Sequence, residues 1–186
     1  MNDLKHWRTL TRQTVFSGGP IREVAVESVE LPGGRQVDDY YVVRMPDYVL
    51  IFAEMRDGTV PLLRQYRHGP RRVCLTFPGG TIENRESPLE AAQRELLEEL
   101  GCTADTWHSL GHYVTNANQG CNTAHLFRAS GCVVTSAPHS HDLEDTEVEY
   151  MNRDALLNPS LLAEVGLVSH VALLLLATTK PDATRY

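Results

Sequence analysis

Positive charge is scarce in this chain: 17 Lys and Arg stand against 24 Asp and Glu among 186 residues, a formal net charge of -7. That balance argues against a broad nucleic-acid or anionic-membrane footprint, which needs clustered basic side chains. Cysteine is also sparse. Cys74, Cys102, Cys121 and Cys132 have no CxxC spacing, so neither a zinc knuckle nor a thioredoxin-like pair is suggested, and reduced, buried thiols in a cytoplasm are expected. Long apolar runs are missing. The longest, residues 171–177, is far below the roughly 20 residues of a membrane span, and residues 1–10 carry Asp3, Lys5, His6 and Arg8 where a secretory signal would be apolar. No repeat or Pro/Gly/Ser-rich linker divides the chain. What remains is 42% hydrophobic composition, enough for one ordinary globular domain. Small molecules are the expected partners. An acidic protein that handles phosphates needs local positive charge, and a bound divalent ion is one source of it.

The opening third reads as strand. Residues 21–31 and 36–45 flank the turn Pro32-Gly33-Gly34, which predicts a hairpin. Residues 48–55 and 60–66 flank Arg56-Asp57-Gly58-Thr59, which predicts a second one. A strand over 73–77 leads into Pro78-Gly79-Gly80. Ser87 can then cap a helix, Pro88 suits its first position, and Glu90 can reach back as the capping-box acid. The helix is predicted over 88–100, stopped by Gly101. Strands near 107–114, 122–129 and 147–151 and a final helix over 160–178 complete an α+β pattern.

One segment carries chemistry. From Gly80 the sequence runs through five residues to Glu86, then seven to Arg94-Glu95-Leu96, one to Glu98-Glu99, and one to Gly101-Cys102. On a helix, residues three and four apart share a face, so Glu95, Glu98 and Glu99 are expected to form a carboxylate cluster. Clustered hard oxygens suit Mg²⁺ or Mn²⁺, which bind carboxylates, waters and substrate phosphates together. Arg94 and Glu86 supply an internal pair that would fix the loop against the helix. Gly79 and Gly80 allow close backbone approach, so that a main-chain carbonyl can point at the metal. An acidic helix face alone is ordinarily just solvated. Glu86, Arg94, Glu95 and both glycines in register set this one apart.

These residues resemble the Nudix box, with Cys102 at its terminal aliphatic position as the one soft departure. Cysteine packs there as a small hydrophobe. The resemblance implies a Nudix-type α/β/α sandwich with an N-terminal antiparallel β-strand region, residues 1–46 before a Nudix domain over 47–186. It also implies Mg²⁺, with Mn²⁺ as a substitute, held by Glu95, Glu98, Glu99 and the Gly79 carbonyl, with Gly80, Glu86 and Arg94 supporting the box. The reaction implied is hydrolysis of a nucleoside diphosphate linked to another moiety, in a cytoplasmic homodimer with no nucleic-acid or membrane partner.

The likeness extends to the ADP-ribose and nucleotide-sugar pyrophosphatase branch, through Leu31-Pro32-Gly33-Gly34-Arg35 and Leu63-Arg64-Gln65-Tyr66-Arg67. Arg67 is the better phosphate candidate and Arg64 the second; three residues apart along a strand, they fall on opposite faces, so only one is expected to face the site. An acidic stretch over 141–149 lies where that branch supplies a catalytic glutamate. Glu144 is the first choice for it and Glu147 the second, with the box members Glu98 and Glu99 also catalytic candidates. Trp7, Tyr40 or Tyr41 could stack a nucleobase, and Asn118 is a further substrate candidate. Two departures bear on substrate: Thr76-Phe77-Pro78-Gly79-Gly80 replaces the branch's common Glu-aliphatic-Pro-Ala-Gly, and residues 114–120 lack a proline. ADP-ribose leads, GDP-mannose or another nucleotide sugar or dinucleotide follows, and a catalytically silent ligand sensor is the reading from another class.

Overall fold

Strand formation in this chain follows β-branched and apolar runs, and the sheets divide according to whether those runs are buried on one face or two. The computed structural model describes residues 5–139 and 146–179. Its internal contacts form two units, one of residues 1–46 with 114–123, the other of residues 47–113 with 124–186.

In the first unit, β1 (Arg8–Gly18), β2 (Ile21–Glu30) and β3 (Gln36–Arg44) form an antiparallel meander, and the two-residue strand β9 (Gly120–Cys121) adds in parallel to β3. The predicted hairpin over 21–45 is β2–β3. Strand β1 did not stand out in the sequence because all its residues but Leu10 are exposed, with no buried face to impose an apolar alternation. Its identity rests on Thr9, Thr11, Thr14 and Val15, side chains that suit a pleated surface, and on cross-strand pairs from Arg12 to Glu23 and Glu27.

The second unit is an α/β/α sandwich. Here β4 (Tyr48–Met55) pairs in parallel with β10 (Thr123–Val134), which also carries β7 (Cys102–Thr103) and β8 (Thr106–Val114). A separate sheet has β5 (Thr59–Arg67) between β11 (Thr146–Asn152) and β6 (Arg72–Thr76). Successive residues of a strand point to opposite faces, and β4 divides accordingly. Val49, Ile51 and Ala53 pack with Ala92, Leu96 and Leu100 of α1 (Pro88–Leu100), while Leu50 and Phe52 pack with Leu161 and Val165 of α2 (Pro159–Val165) and Leu173 and Leu174 of α3 (Val168–Thr179). Burial on both faces explains why β4 reads as a continuous apolar run.

Two expectations need correction. The second hairpin does not form: β4 and β5 follow each other across the turn but pair in different sheets. The Arg56 N–H donates to the Cys132 carbonyl at 3.2 Å, continuing β4 along β10. The final helix is two helices. Gly166 takes a left-handed conformation and caps α2, and Arg72 lies over it with Nη1 donating to the Ala163 carbonyl at 3.1 Å. A glycine at C′ is a common helix stop, and the exposed Arg72 adds a cation at the C-terminal end of α2.

Cys74, Cys102 and Cys132 are buried and Cys121 is half-buried, all four as free thiols. Burial pushes the Cys132 thiol up to about 12 and raises Cys102 as well, which leaves both unreactive as thiolates at neutral pH. No helix among the described residues is long and apolar enough to cross a membrane.

Candidate functional site

The helix α1 begins and ends where its local signals place it. The Ser87 side chain accepts from the Glu90 N–H, Glu90 accepts from the Ser87 N–H at 2.8 Å, and Gly101 closes the far end in the left-handed region. Such caps contribute about 1 kcal/mol each. Ala91, Ala92, Leu96, Glu99 and Leu100 are its buried residues, and Glu95 and Glu98 are half-buried beside them.

The approach to the helix is set by the main chain. After β6 ends, Pro78 and Gly80 give their carbonyls to the N–H groups of Ile51 and Val49, each at 2.9 Å. Gly79 sits so close to β4 that an added Cβ would lie 2.1 Å from the Val49 carbonyl oxygen. Its N–H donates to Glu99 Oε2 at 2.7 Å. Among the described residues nothing donates to the Gly79 carbonyl between the two occupied ones. At Gly80 an added Cβ would lie 2.2 Å from Glu95 Oε1. Each glycine therefore keeps a different neighbour in place.

Arg94 is the hub of the box. Its Nε and Nη2 donate to the two oxygens of Glu86 at 2.9 and 3.1 Å, a bidentate pair, and Nη2 also reaches the Thr81 carbonyl at 3.0 Å. Its Nη1 donates to Glu95 Oε1 at 2.8 Å and to Glu98 Oε2 at 3.0 Å. The structure thus brings Glu86, Glu95 and Glu98 to one guanidinium and sends Glu99 to the Gly79 backbone. The Arg94 hydrogen bond, opposed by burial, holds the Glu86 carboxyl below its ordinary range. A depressed carboxyl stabilises the fold above its unfolded pKa and loses that contribution as pH falls through the folded value. The loop-to-helix clamp is therefore intact at neutral pH and weakens only in acid.

The donor set suits a hard divalent cation, because it is all oxygen: three carboxylates and the Gly79 carbonyl. Among the described residues, no three His, Cys, Asp or Glu side chains are already gathered as a ligand set. Arg94 supplies the counter-charge for Glu95 and Glu98, and an ion would compete with it for those oxygens. Gly80 leaves room for Glu95, and the Gly79 N–H orients Glu99.

The substrate candidates divide between the two units. Within the first, Trp7 meets Tyr40 edge-on, with ring centroids 5.7 Å apart, and the Tyr40 hydroxyl donates to the Asn118 carbonyl at 2.6 Å. Trp7 is half exposed. Within the second, Arg64 is committed to Glu149 and Glu164, whereas Arg67 makes no ion pair among the described residues. Thr76 is fully buried. Its hydroxyl accepts from Gln65 Nε2 at 2.7 Å and donates to the Leu63 carbonyl at 3.2 Å, so any influence on substrate must be indirect. Glu147 is exposed on β11 opposite Arg64. Glu144 and His141 lie outside the described residues.

His170 on α3 was not singled out in the sequence. It is 6% exposed, stacks on Phe77, and its Nδ1 accepts the Phe77 N–H at 3.0 Å. The neutral ring must therefore carry its proton on Nε2. Burial, with a contribution from the Arg67 charge, pushes the imidazole down to about 3, so it stays neutral. A lone histidine in an apolar helix gives no signal of its own; only the sheet crossing at Phe77 explains it.

Residues 44–169 match the NUDIX domain family and residues 7–43 match the nucleoside diphosphate sugar hydrolase N-terminal domain. With the box geometry and the sandwich around it, the chain belongs to the Nudix family of hydrolases. It is 31% identical over 144 residues to an ADP-ribose pyrophosphatase of Bacillus subtilis (strain 168), covering 77% of this chain and 76% of the relative. A methanol dehydrogenase activator of Bacillus methanolicus is 30% identical, over 70% of each chain. Among solved structures, an ADP compounds hydrolase superposes with a TM-score of 0.78 at 23% identity, covering 96% of this chain and 95% of that one, a likeness of fold. Nudix hydrolases generally use divalent metals.

Proposed function

We propose that the protein is a cytoplasmic, Mg²⁺-dependent pyrophosphohydrolase of nucleoside diphosphate sugars, with ADP-ribose the leading substrate and AMP and ribose 5-phosphate the products. The observation that carries the reading is the Arg94-centred box, in which one guanidinium joins Glu86, Glu95 and Glu98 while Glu99 accepts from the Gly79 N–H. The similarity to an ADP-ribose pyrophosphatase over three quarters of both chains supports the choice of substrate.

In this reading Glu95, Glu98, Glu99 and the Gly79 carbonyl hold the ion, and Gly80, Glu86 and Arg94 keep them in place. When bound, Mg²⁺ neutralises phosphoryl charge and lowers the pKa of water. A water attacks one phosphorus in line, the bridging P–O bond breaks, and a phosphate monoester leaves. The water's proton passes to a carboxylate: Glu144 first, with Glu147 or a box member as alternatives. Arg67 receives a phosphate ahead of Arg64, whose guanidinium is already occupied. Trp7 and Tyr40, with Asn118 bracing the tyrosine, form the nucleobase platform.

Residues 1–46 are assigned to dimerisation and substrate contact, and residues 47–186 to catalysis. Val15, Phe16 and Tyr41 are about half exposed on the N-terminal strands, which supports a homodimer built on that sheet. Sizing chromatography with light scattering is expected to give twice the 20.8 kDa chain mass, and a monomer at micromolar concentration would remove this part of the reading.

The test of substrate is a panel of ADP-ribose, GDP-mannose, other nucleotide sugars, dinucleotides and nucleoside triphosphates with Mg²⁺, scored by released phosphomonoester. ADP-ribose is expected to give the highest kcat/KM. No hydrolysis of any nucleotide sugar, or a preference for triphosphates, would reject the reading.

A further inference from the structure

We propose that His170 is a positioning residue for the box, its Nδ1 fixing the turn through Pro78, Gly79 and Gly80 that holds Glu99. The inference rests on the reading of that turn as part of the metal and diphosphate site.

Thr76, paired with Leu63, is the last rung of the β5–β6 ladder. The next backbone contact, from the Ile51 N–H to the Pro78 carbonyl, belongs to the β4 side. Phe77 falls between the two sheets. It is 1% exposed, and its N–H has left one set of strand partners without meeting the other. A buried N–H requires an acceptor, and here α3 delivers one in the form of His170 Nδ1 at 3.0 Å. The imidazole and the Phe77 ring lie 21° from parallel with centroids 6.3 Å apart, so the stack and the hydrogen bond fix the residue together.

Two residues further on, Gly79 donates to Glu99 Oε2. The intervening segment has little slack. Proline has a fixed φ, and Gly79 is pressed against the Val49 carbonyl. A rotation of the Phe77 peptide would therefore be transmitted to the Gly79 N–H and from there to Glu99. Through one nitrogen, a helix that contributes no ligand takes part in setting the ligand geometry.

Full-length His170→Leu and His170→Asn separate this role from simple packing. Leucine fills space without an acceptor, whereas the asparagine Oδ1 can stand in for Nδ1. Three measurements are compared: Mn²⁺ binding without substrate by electron paramagnetic resonance, the Mg²⁺ dependence of ADP-ribose turnover, and amide exchange at Phe77 and Gly79. For His170→Leu the expected results are Mn²⁺ binding and half-maximal Mg²⁺ activation weakened about tenfold or more, KM for ADP-ribose within about twofold, and faster exchange at both amides. For His170→Asn metal binding and activation are expected within about threefold of the parent. A folded leucine variant with parental Mn²⁺ affinity and Gly79 exchange would overturn the proposal. So would an asparagine variant as impaired as the leucine one while both are folded. Should leucine prevent folding, His170→Phe, which also lacks an acceptor, takes its place. If the parent hydrolyses no nucleotide sugar the substrate reading fails, while Mn²⁺ binding and exchange still decide on His170.

Discussion

Glu98→Gln and Glu99→Gln are each expected to lower kcat on ADP-ribose by about 100-fold or more, a size typical of a lost electrostatic group at a reacting centre. Both changes keep side-chain volume and remove a charge. At position 98 the amide oxygen can still accept from Arg94 Nη1, now 3.0 Å from Glu98 Oε2, and the side chain is one third exposed. At position 99 the amide oxygen can still accept from the Gly79 N–H. Folding should survive in both, so the loss can be assigned to the missing carboxylates. Steady-state turnover across a Mg²⁺ titration, with thermal melts of each variant, makes the comparison. Near-parental turnover in both variants would remove the box from the chemistry.

The second large effect separates two neighbouring glycines. Gly79→Ala is expected to destabilise the fold by about 3 kcal/mol or more, from steric overlap and an unfavourable φ together. In a protein of this size that corresponds to a fall in Tm of about 6 °C or more. Its Cβ would meet backbone on both counts, the Val49 oxygen at 2.1 Å and Leu50 Cα at 3.0 Å, at a φ of +152°. Strand β4 is packed on both faces and has no room to retreat. Gly80→Ala meets a side chain instead, the Glu95 carboxylate at 2.2 Å, which can swing away only by leaving Arg94. Its cost in stability is expected to be about 1 kcal/mol or less, with turnover falling as Glu95 is displaced. Parental melting of Gly79→Ala together with parental activity of Gly80→Ala would contradict this division.

The parts of the molecule that could be read from sequence are those whose causes are local. Ser87, Pro88, Glu90 and Gly101 bound α1 within its own 13 residues, and the Glu86–Arg94 pair follows from spacing once the helix is known. Contacts made across long separations in the chain were harder. The pairing of Arg64 with Glu149 and Glu164 gives no signal beside Arg67, because those partners are 85 and 100 residues away. At Gly166 the helix stop is local, but the Arg72 guanidinium that lies over it comes from a distant strand. Strand β1 lacks the apolar alternation that marks a half-buried strand, and the β4–β5 turn has hairpin chemistry although its two strands belong to different sheets.

The segment comprising residues 114–123 has a consequence for inheritance. It is flanked on both sides by chain of the second unit, yet its partners lie in the first: Val43 pairs with Gly120, Tyr40 bonds to Asn118, and the Asn122 side chain donates to the Pro46 carbonyl. A gene cut at residue 46 would thus strip a loop of its partners more than sixty residues downstream. The N-terminal strands and this insert are an interleaved pair that must change together, and neither is a cassette that recombination could exchange alone.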